Sequence, residues 1–173
     1  MLKRYHEALG DRPEDPLPKN WKVIADNSGD MPERFGVVEQ GRFYRSAMIW
    51  SHHISKLQKD YGIEHIVSLV DGDWLSNWYD DSGITIHQFP ILRRRAFTKE
   101  RVRDVVEAIN SLDGPAIVHC LKGVTRTGMV SAAYQVLNGY KGNLRALFDY
   151  VWKSRFHVSG LLNFSTMKEI LDY

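Results

Sequence analysis

Cysteine is almost missing from this chain: Cys120 is the single one in 173 residues. A lone thiol excludes an intramolecular disulfide framework and any multi-cysteine zinc site, leaving Cys120 either inert and buried or reactive. Long apolar runs are missing as well. Nowhere do about 18 apolar residues follow one another, as a membrane-crossing helix requires, and the first residues, MLKRYHEALG, lack the apolar stretch of a secretory leader. A soluble, cytoplasmic protein with no membrane contact is expected. No sign of charge dominates either: 23 Lys and Arg stand against 21 Asp and Glu, a net +2. That balance does not draw nucleic acid to the whole surface, so an anion site has to be local.

What is present suits a folded domain. Hydrophobic residues make up 43% and aromatics 12%, enough to build a core, and the length fits one domain. Pro13, Pro16 and Pro18 among Asp and Glu resist helix and strand alike. Residues 1–20 are therefore expected to be an extended arm, and 21–173 a single, monomeric domain. Val37–Val38 and Arg42–Arg45, joined by a turn at Glu39–Gly41, predict a hairpin. The apolar, β-branched runs Ile63–Val70, Ile84–Phe89 and Pro115–His119 predict buried strands. Helical spacing predicts helices around Ile54–Lys59, from the N-cap Thr98 through Val102, Val105, Val106, Ile109 and Leu112 to Gly114, over Arg126–Leu137 with Val130, Ala133, Tyr134 and Leu137 inward, over Leu144–Val151, and over Asn163–Leu171. Strands alternating with helices imply an α/β fold, a mainly parallel central sheet flanked by helices on both faces.

The informative segment is His119-Cys120-Leu121-Lys122-Gly123-Val124-Thr125-Arg126-Thr127-Gly128, between the last strand and the next helix. A strand–loop–helix junction turns backbone N–H groups and the positive end of a helix dipole toward one point, so residues 121–126 are expected to cradle a phosphate. The same field lowers the pKa of a thiol at that point and makes Cys120 nucleophilic. Arg126 offers a planar fork to two phosphate oxygens, a geometry unavailable to Lys. The Thr127 hydroxyl is placed to stabilise a departing thiolate. Gly123 permits a positive φ, and Gly128 a close backbone approach.

HCLKGVTRTG resembles the signature of the cysteine-dependent protein tyrosine and dual-specificity phosphatases: His-Cys, five residues, then Arg, Ser or Thr, and Gly. The order GRFYRSA, IEHIVSL, ITIHQFP, PAIVHC and a helical tail is similar to compact atypical dual-specificity phosphatases over residues 35–171. That resemblance implies a dual-specificity-phosphatase-like fold and a Cys120 thiolate that attacks phosphorus to form a phosphocysteine, which water then hydrolyses with no metal or cofactor. It also implies that Arg45 and Ser46 brace the site and that His119 tunes the thiol through a hydrogen bond without acting as a base.

The family's general acid is an Asp on a loop before the cysteine, and the corresponding stretch, Gln88–Phe97, has no carboxylate before Glu100. Asp71 and Asp73 follow a strand whose carboxyl end should lie near Cys120, so either is a candidate acid; the alternative is a plain polar turn. Arg93, Arg94 and Arg95 form a cationic run that is either a solvated loop or, with Lys122, a site for a substrate with several anionic groups. Some plant and fungal members of the family it resembles that act on inositol pyrophosphates also carry a basic residue at the position of Lys122. The expected substrates are thus a phosphorylated protein, or else a small polyanionic metabolite such as an inositol polyphosphate or pyrophosphate. His52 and His53 lack a third ligand, which argues against zinc, and Trp74 and Trp78 either rim a cleft or pack. A phosphate-binding protein without turnover, suggested by the missing loop acid, and a rhodanese-like sulfur transferase are the rival functions. The Arg-Thr-Gly ending favours phosphate chemistry over sulfur transfer.

Overall fold

The computed structural model describes residues 29–72, 82–91 and 98–141, together with Lys22–Val23 and Glu169. The arm at 1–20, Asp73, Trp74, Trp78, Arg93, Arg94, Arg95 and the expected helix at 144–151 lie outside the described residues, as does the last expected helix except for Glu169, which is helical. Among the described residues six strands form one sheet: β1 (Lys22–Val23), β2 (Gly36–Glu39), β3 (Phe43–Ser46), β4 (His65–Ser68), β5 (Thr85–Gln88) and β6 (Ala116–His119), in the order β1-β2-β3-β6-β4-β5. Strands β3, β6, β4 and β5 are parallel, while β1 and β2 add an antiparallel edge. The two-residue β1 was not expected, because a pair of residues has no readable alternation.

The strands are shorter than the apolar runs that predict them. Ile63 and Leu69 are buried outside the ladder of β4, so burial extends past the hydrogen-bonded part of the run. Between Val37 and Glu39 the pairing of β2 with β3 slips by one residue. This is a β-bulge, and the Val38 carbonyl accepts a hydrogen bond from Gln135 Nε2 at 2.7 Å.

Three helices are complete among the described residues: α1 (Ile54–Tyr61), entered through a 3₁₀ turn at Ser51–His53, α2 (Lys99–Ser111) and α3 (Thr125–Leu137). Register places them on opposite faces. Side chains alternate along a strand, so Phe43, Ala116 and His65, which lie side by side, share one face, and Tyr44, Ile117 and Ile66 share the other. Phe43 packs on Tyr134 of α3, with ring centroids 4.5 Å apart. Tyr44 packs on Tyr61 of α1 at 5.4 Å, and Phe35 joins that cluster. With both faces covered, all four residues of β3, β4 and β6 are buried.

Thr98 caps α2 by accepting the Arg101 N–H at 3.2 Å, and Val102, Val105, Val106 and Ile109 are its buried face. The helix stops at Ser111, short of Gly114. Helix α3 differs from the single stripe its spacing predicts. Thr127 through Tyr134 are all buried while Leu137 is exposed, because this helix is packed by the sheet on one side and α2 on another.

Candidate active site

In a parallel sheet the carboxyl ends of the strands share one edge, and here Ser46, Ser68 and His119 end β3, β4 and β6 in register. The chain leaving β6 turns through Cys120–Val124 and enters α3 at Thr125, the expected strand–loop–helix junction with the helix starting one residue before the predicted Arg126. Gly123 has φ +60, and a Cβ there would stand 2.5 Å from the Ala47 backbone nitrogen. Both the conformation and the contact with the exit of β3 call for glycine. Helix α3 has no side-chain cap and no acidic residue in its first turn, so its first N–H groups face the loop with their positive potential uncompensated.

Cys120 is the first residue of this loop, with only 2% of its surface exposed. Burial pushes its thiol up, but the Thr127 hydroxyl and N–H, the Arg126 guanidinium and the Gly123 N–H outweigh it, and the net direction is down. The Thr127 hydroxyl also lies 3.4 Å from the Ser46 carbonyl oxygen. His119, fully buried beside the thiol, has its pKa lowered to about 4, first by burial and then by Arg126, with the Cys120 backbone acting in the opposite direction. The ring was expected to face backbone, and the Cys120 backbone is the group that favours its charged form, although neither ring nitrogen makes a hydrogen bond of good geometry. At neutral pH the ring is uncharged.

Arg126 Nη1 donates to the Leu69 carbonyl at 3.0 Å and to the Ile91 carbonyl at 3.3 Å. One guanidinium thus ties the signature loop to the segments leaving β4 and β5. Asp71 is exposed two residues beyond Leu69. Glu100 sits in the first turn of α2, where its own N–H and then the Thr98 hydroxyl hold its carboxyl below the usual range. Arg45 is fully buried and donates through Nη2 to the Gly123 carbonyl, which is the bracing expected of it. Ser46 bonds the Ala47 carbonyl through its hydroxyl at 2.8 Å. Leu121 and Lys122 are exposed at the outer lip of the loop.

Sequence reasoning missed Arg34, whose Nη1 donates to the Lys122 carbonyl at 3.2 Å. It also missed Glu33, whose carbonyl takes the Ala47 N–H at 2.8 Å. Both lie in an irregular turn that has no periodic signal. His53 is buried and uses Nδ1 to accept the Trp50 N–H at 3.0 Å. Among the described residues no three His, Cys, Asp or Glu side chains are grouped as metal ligands.

A model of the Swiss Army Knife DSP-PTPase phosphatase domain, PTP-SAK, matches residues 32–161. No curated protein matches the chain. Solved structures with the same fold include TpbA of P. aeruginosa, 20% identical, with a TM-score of 0.64 over 90% of this chain and 89% of that one. The core catalytic domain of the PP-IP phosphatase SIW14 from S. cerevisiae, in complex with citrate, is 21% identical, with a TM-score of 0.67 over 86% and 87% of the two chains. TpbA in complex with pTyr aligns at 19% identity, with a TM-score of 0.62 over 91% and 90%. At these identities the likeness is one of fold.

Proposed function

The chain belongs to the PTP-SAK family of DSP-PTPase phosphatase domains, and from that membership we propose how its own residues hydrolyse a phosphate monoester. The Cys120 thiolate attacks phosphorus while the bond to the ester oxygen breaks, so the chain carries a phosphocysteine and the leaving oxygen takes up a proton. Water then attacks the same phosphorus, inorganic phosphate departs, and the thiolate is restored with the Thr127 hydroxyl donating to it. N–H groups of Leu121, Lys122, Gly123, Val124, Thr125 and Arg126, with the Arg126 fork, hold the equatorial oxygens whose charge grows in the transition state. No cofactor enters either step.

One observation carries this reading: Cys120 leaves β6 into a glycine-turned loop at the uncapped start of α3, where the Thr127 hydroxyl, the Arg126 guanidinium and the Gly123 N–H converge on its thiol. Cys120→Ser should abolish release of phosphate from an aryl phosphate and still bind tungstate, since the cradle is backbone and Arg126. Turnover equal to wild type in that variant would refute the covalent route. Turnover by the wild-type chain itself separates an enzyme from a phosphate-binding protein.

For the leaving-group proton we assign Asp73 first and Asp71 second. The segment that bears Asp71 and leads to Asp73 starts at Leu69, whose carbonyl Arg126 holds. Glu100 is a poor donor, because its helix cap keeps it ionised. The substrate is a phosphorylated protein, on tyrosine or with dual specificity, in keeping with the family and with TpbA, which binds pTyr. A polyanionic metabolite is the second reading, and one contact favours it. Arg126 holds the Ile91 carbonyl; in the sequence the Arg93–Arg95 run begins two residues after Ile91, and Lys122 lies in the signature loop itself. The similar SIW14 domain is a PP-IP phosphatase. A phosphate-release panel of phosphotyrosine peptides, phosphoserine peptides and inositol polyphosphates decides between the two.

A further inference from the structure

Three successive carbonyls of the signature loop each have a donor behind them, one from the turn before β2, one from β3 and one from the segment that leaves β3. The Leu121 carbonyl accepts the Met48 N–H at 3.4 Å, the Lys122 carbonyl accepts Arg34 Nη1 at 3.2 Å, and the Gly123 carbonyl accepts Arg45 Nη2. A peptide group points its C=O and N–H in opposite directions, so a carbonyl fixed on this outer layer aims the next N–H inward. The peptide between Lys122 and Gly123 makes the consequence concrete. Its carbonyl is the one Arg34 holds, and its N–H is the one that Gly123 donates to the Cys120 sulfur.

Arg34 occupies this place at a conformational cost. Among the described residues it is the one non-glycine residue with a positive φ, 55°, at the third position of a turn closed by Phe35 N–H on the Pro32 carbonyl at 3.2 Å. That position favours glycine, and an unfavourable backbone held by its surroundings is a mark of function. The Glu33 carboxylate, 3.0 Å from the same Nη1, aims the guanidinium. We propose that Arg34 is a positioning residue of the phosphate cradle, holding the Lys122–Gly123 peptide so that its N–H faces the nucleophile and the phosphoryl oxygens. This rests on the reading of Cys120 as the nucleophile.

Arg34→Gly separates the two roles a brace can have, because it removes the guanidinium and relieves the backbone together. The expected result is a Tm equal to or above wild type, competitive inhibition by tungstate weakened about tenfold, and iodoacetamide alkylation of Cys120 moved to higher pH. Arg34→Lys, which keeps a cationic donor, should regain part of both losses. Wild-type tungstate inhibition and an unmoved alkylation profile in Arg34→Gly would overturn the role of Arg34 while leaving the Cys120 reading intact. A lowered Tm with unchanged anion affinity would overturn it equally, as a purely structural contact. If the wild-type chain neither binds tungstate nor turns over an aryl phosphate, the reading of the site falls first, and Arg34 with it.

Discussion

Burial alone makes a thiol unreactive, because a thiolate without water is costly. At Cys120 burial is outweighed, since each donor around it comes from the chain that immediately follows: the Gly123 N–H, the Arg126 guanidinium, the Thr127 hydroxyl and N–H. His119 shows the opposite balance: the Cys120 backbone favours its charged form, but burial and Arg126 outweigh it. Its imidazole titrates near 6.5 in an unfolded chain and at about 4 in the native one. Between those values the unfolded state binds a proton that the native state refuses, so stability present at neutral pH is lost as pH falls from 6.5 toward 4, by about 3 kcal/mol at completion. His87, lowered by burial and then by His65, acts in the same direction. Urea unfolding across that interval should therefore show a steeper loss in the wild type than in His119→Gln, and parallel slopes would remove His119 as the cause. Arg126→Lys belongs to the same scale: charge survives, the fork does not, and kcat/KM on an aryl phosphate should drop by at least about tenfold. A wild-type value would remove Arg126 from the cradle.

Among the elements, α2 carries its own start signal but borrows its end. Thr98 caps the first turn, whereas no basic residue stands in the last. Arg42, from the strand hairpin, supplies that charge: Nη2 donates to the carbonyls of Ile109 at 3.2 Å, Asn110 at 3.2 Å and Leu112 at 2.6 Å, and Nη1 to that of Gly114 at 3.0 Å. A cation on the orphan carbonyls of a helix stabilises its negative end. Arg42→Ala should cost about 2 kcal/mol by urea unfolding, with Arg42→Lys recovering only part because one ammonium cannot span four carbonyls. An unchanged midpoint in Arg42→Ala would show that water serves these groups as well. The hairpin and α3 are similarly tied, by the Tyr134 hydroxyl on Glu39 and Gln135 on Val38.

At the scale of the whole molecule, the parallel strands bring the segments after β3, β4, β5 and β6 to one edge, and Arg126 binds two of them to the signature loop. That convergence sets a test of the proton donor. Asp73→Asn should slow an alkyl phosphate, with its basic leaving oxygen, by about 10² to 10⁴, and an aryl phosphate far less. Asp71→Asn and Glu100→Gln are the comparisons, and small equal losses in all three would pass the proton to water or to the substrate. Preference for substrates with neighbouring phosphates, diminished in Arg93→Ala, Arg94→Ala or Arg95→Ala, would then mark the arginine run as the specificity element.

HCLKGVTRTG was legible as a candidate nucleophile and its neighbours because the loop is contiguous: ten neighbouring residues carry the strand end, the turn, the thiol, the guanidinium and the helix start. The buried stripe of α2 and its Thr98 cap were legible for the same local reason, since a helix repeats its contacts every three or four residues. Nothing local announces that α3 is buried nearly all round, that Arg126 grips Leu69 and Ile91, or that Arg34 lies 88 positions from the carbonyl it holds. Those contacts depend on sheet order and register, which bring distant segments to one edge. A side chain in an irregular turn such as Glu33–Arg34 has no periodicity to betray its partner. The chemistry of the loop was thus determined by its own residues, and the aim of its N–H groups by the layer behind it, because a peptide's orientation is set by whatever holds its carbonyl.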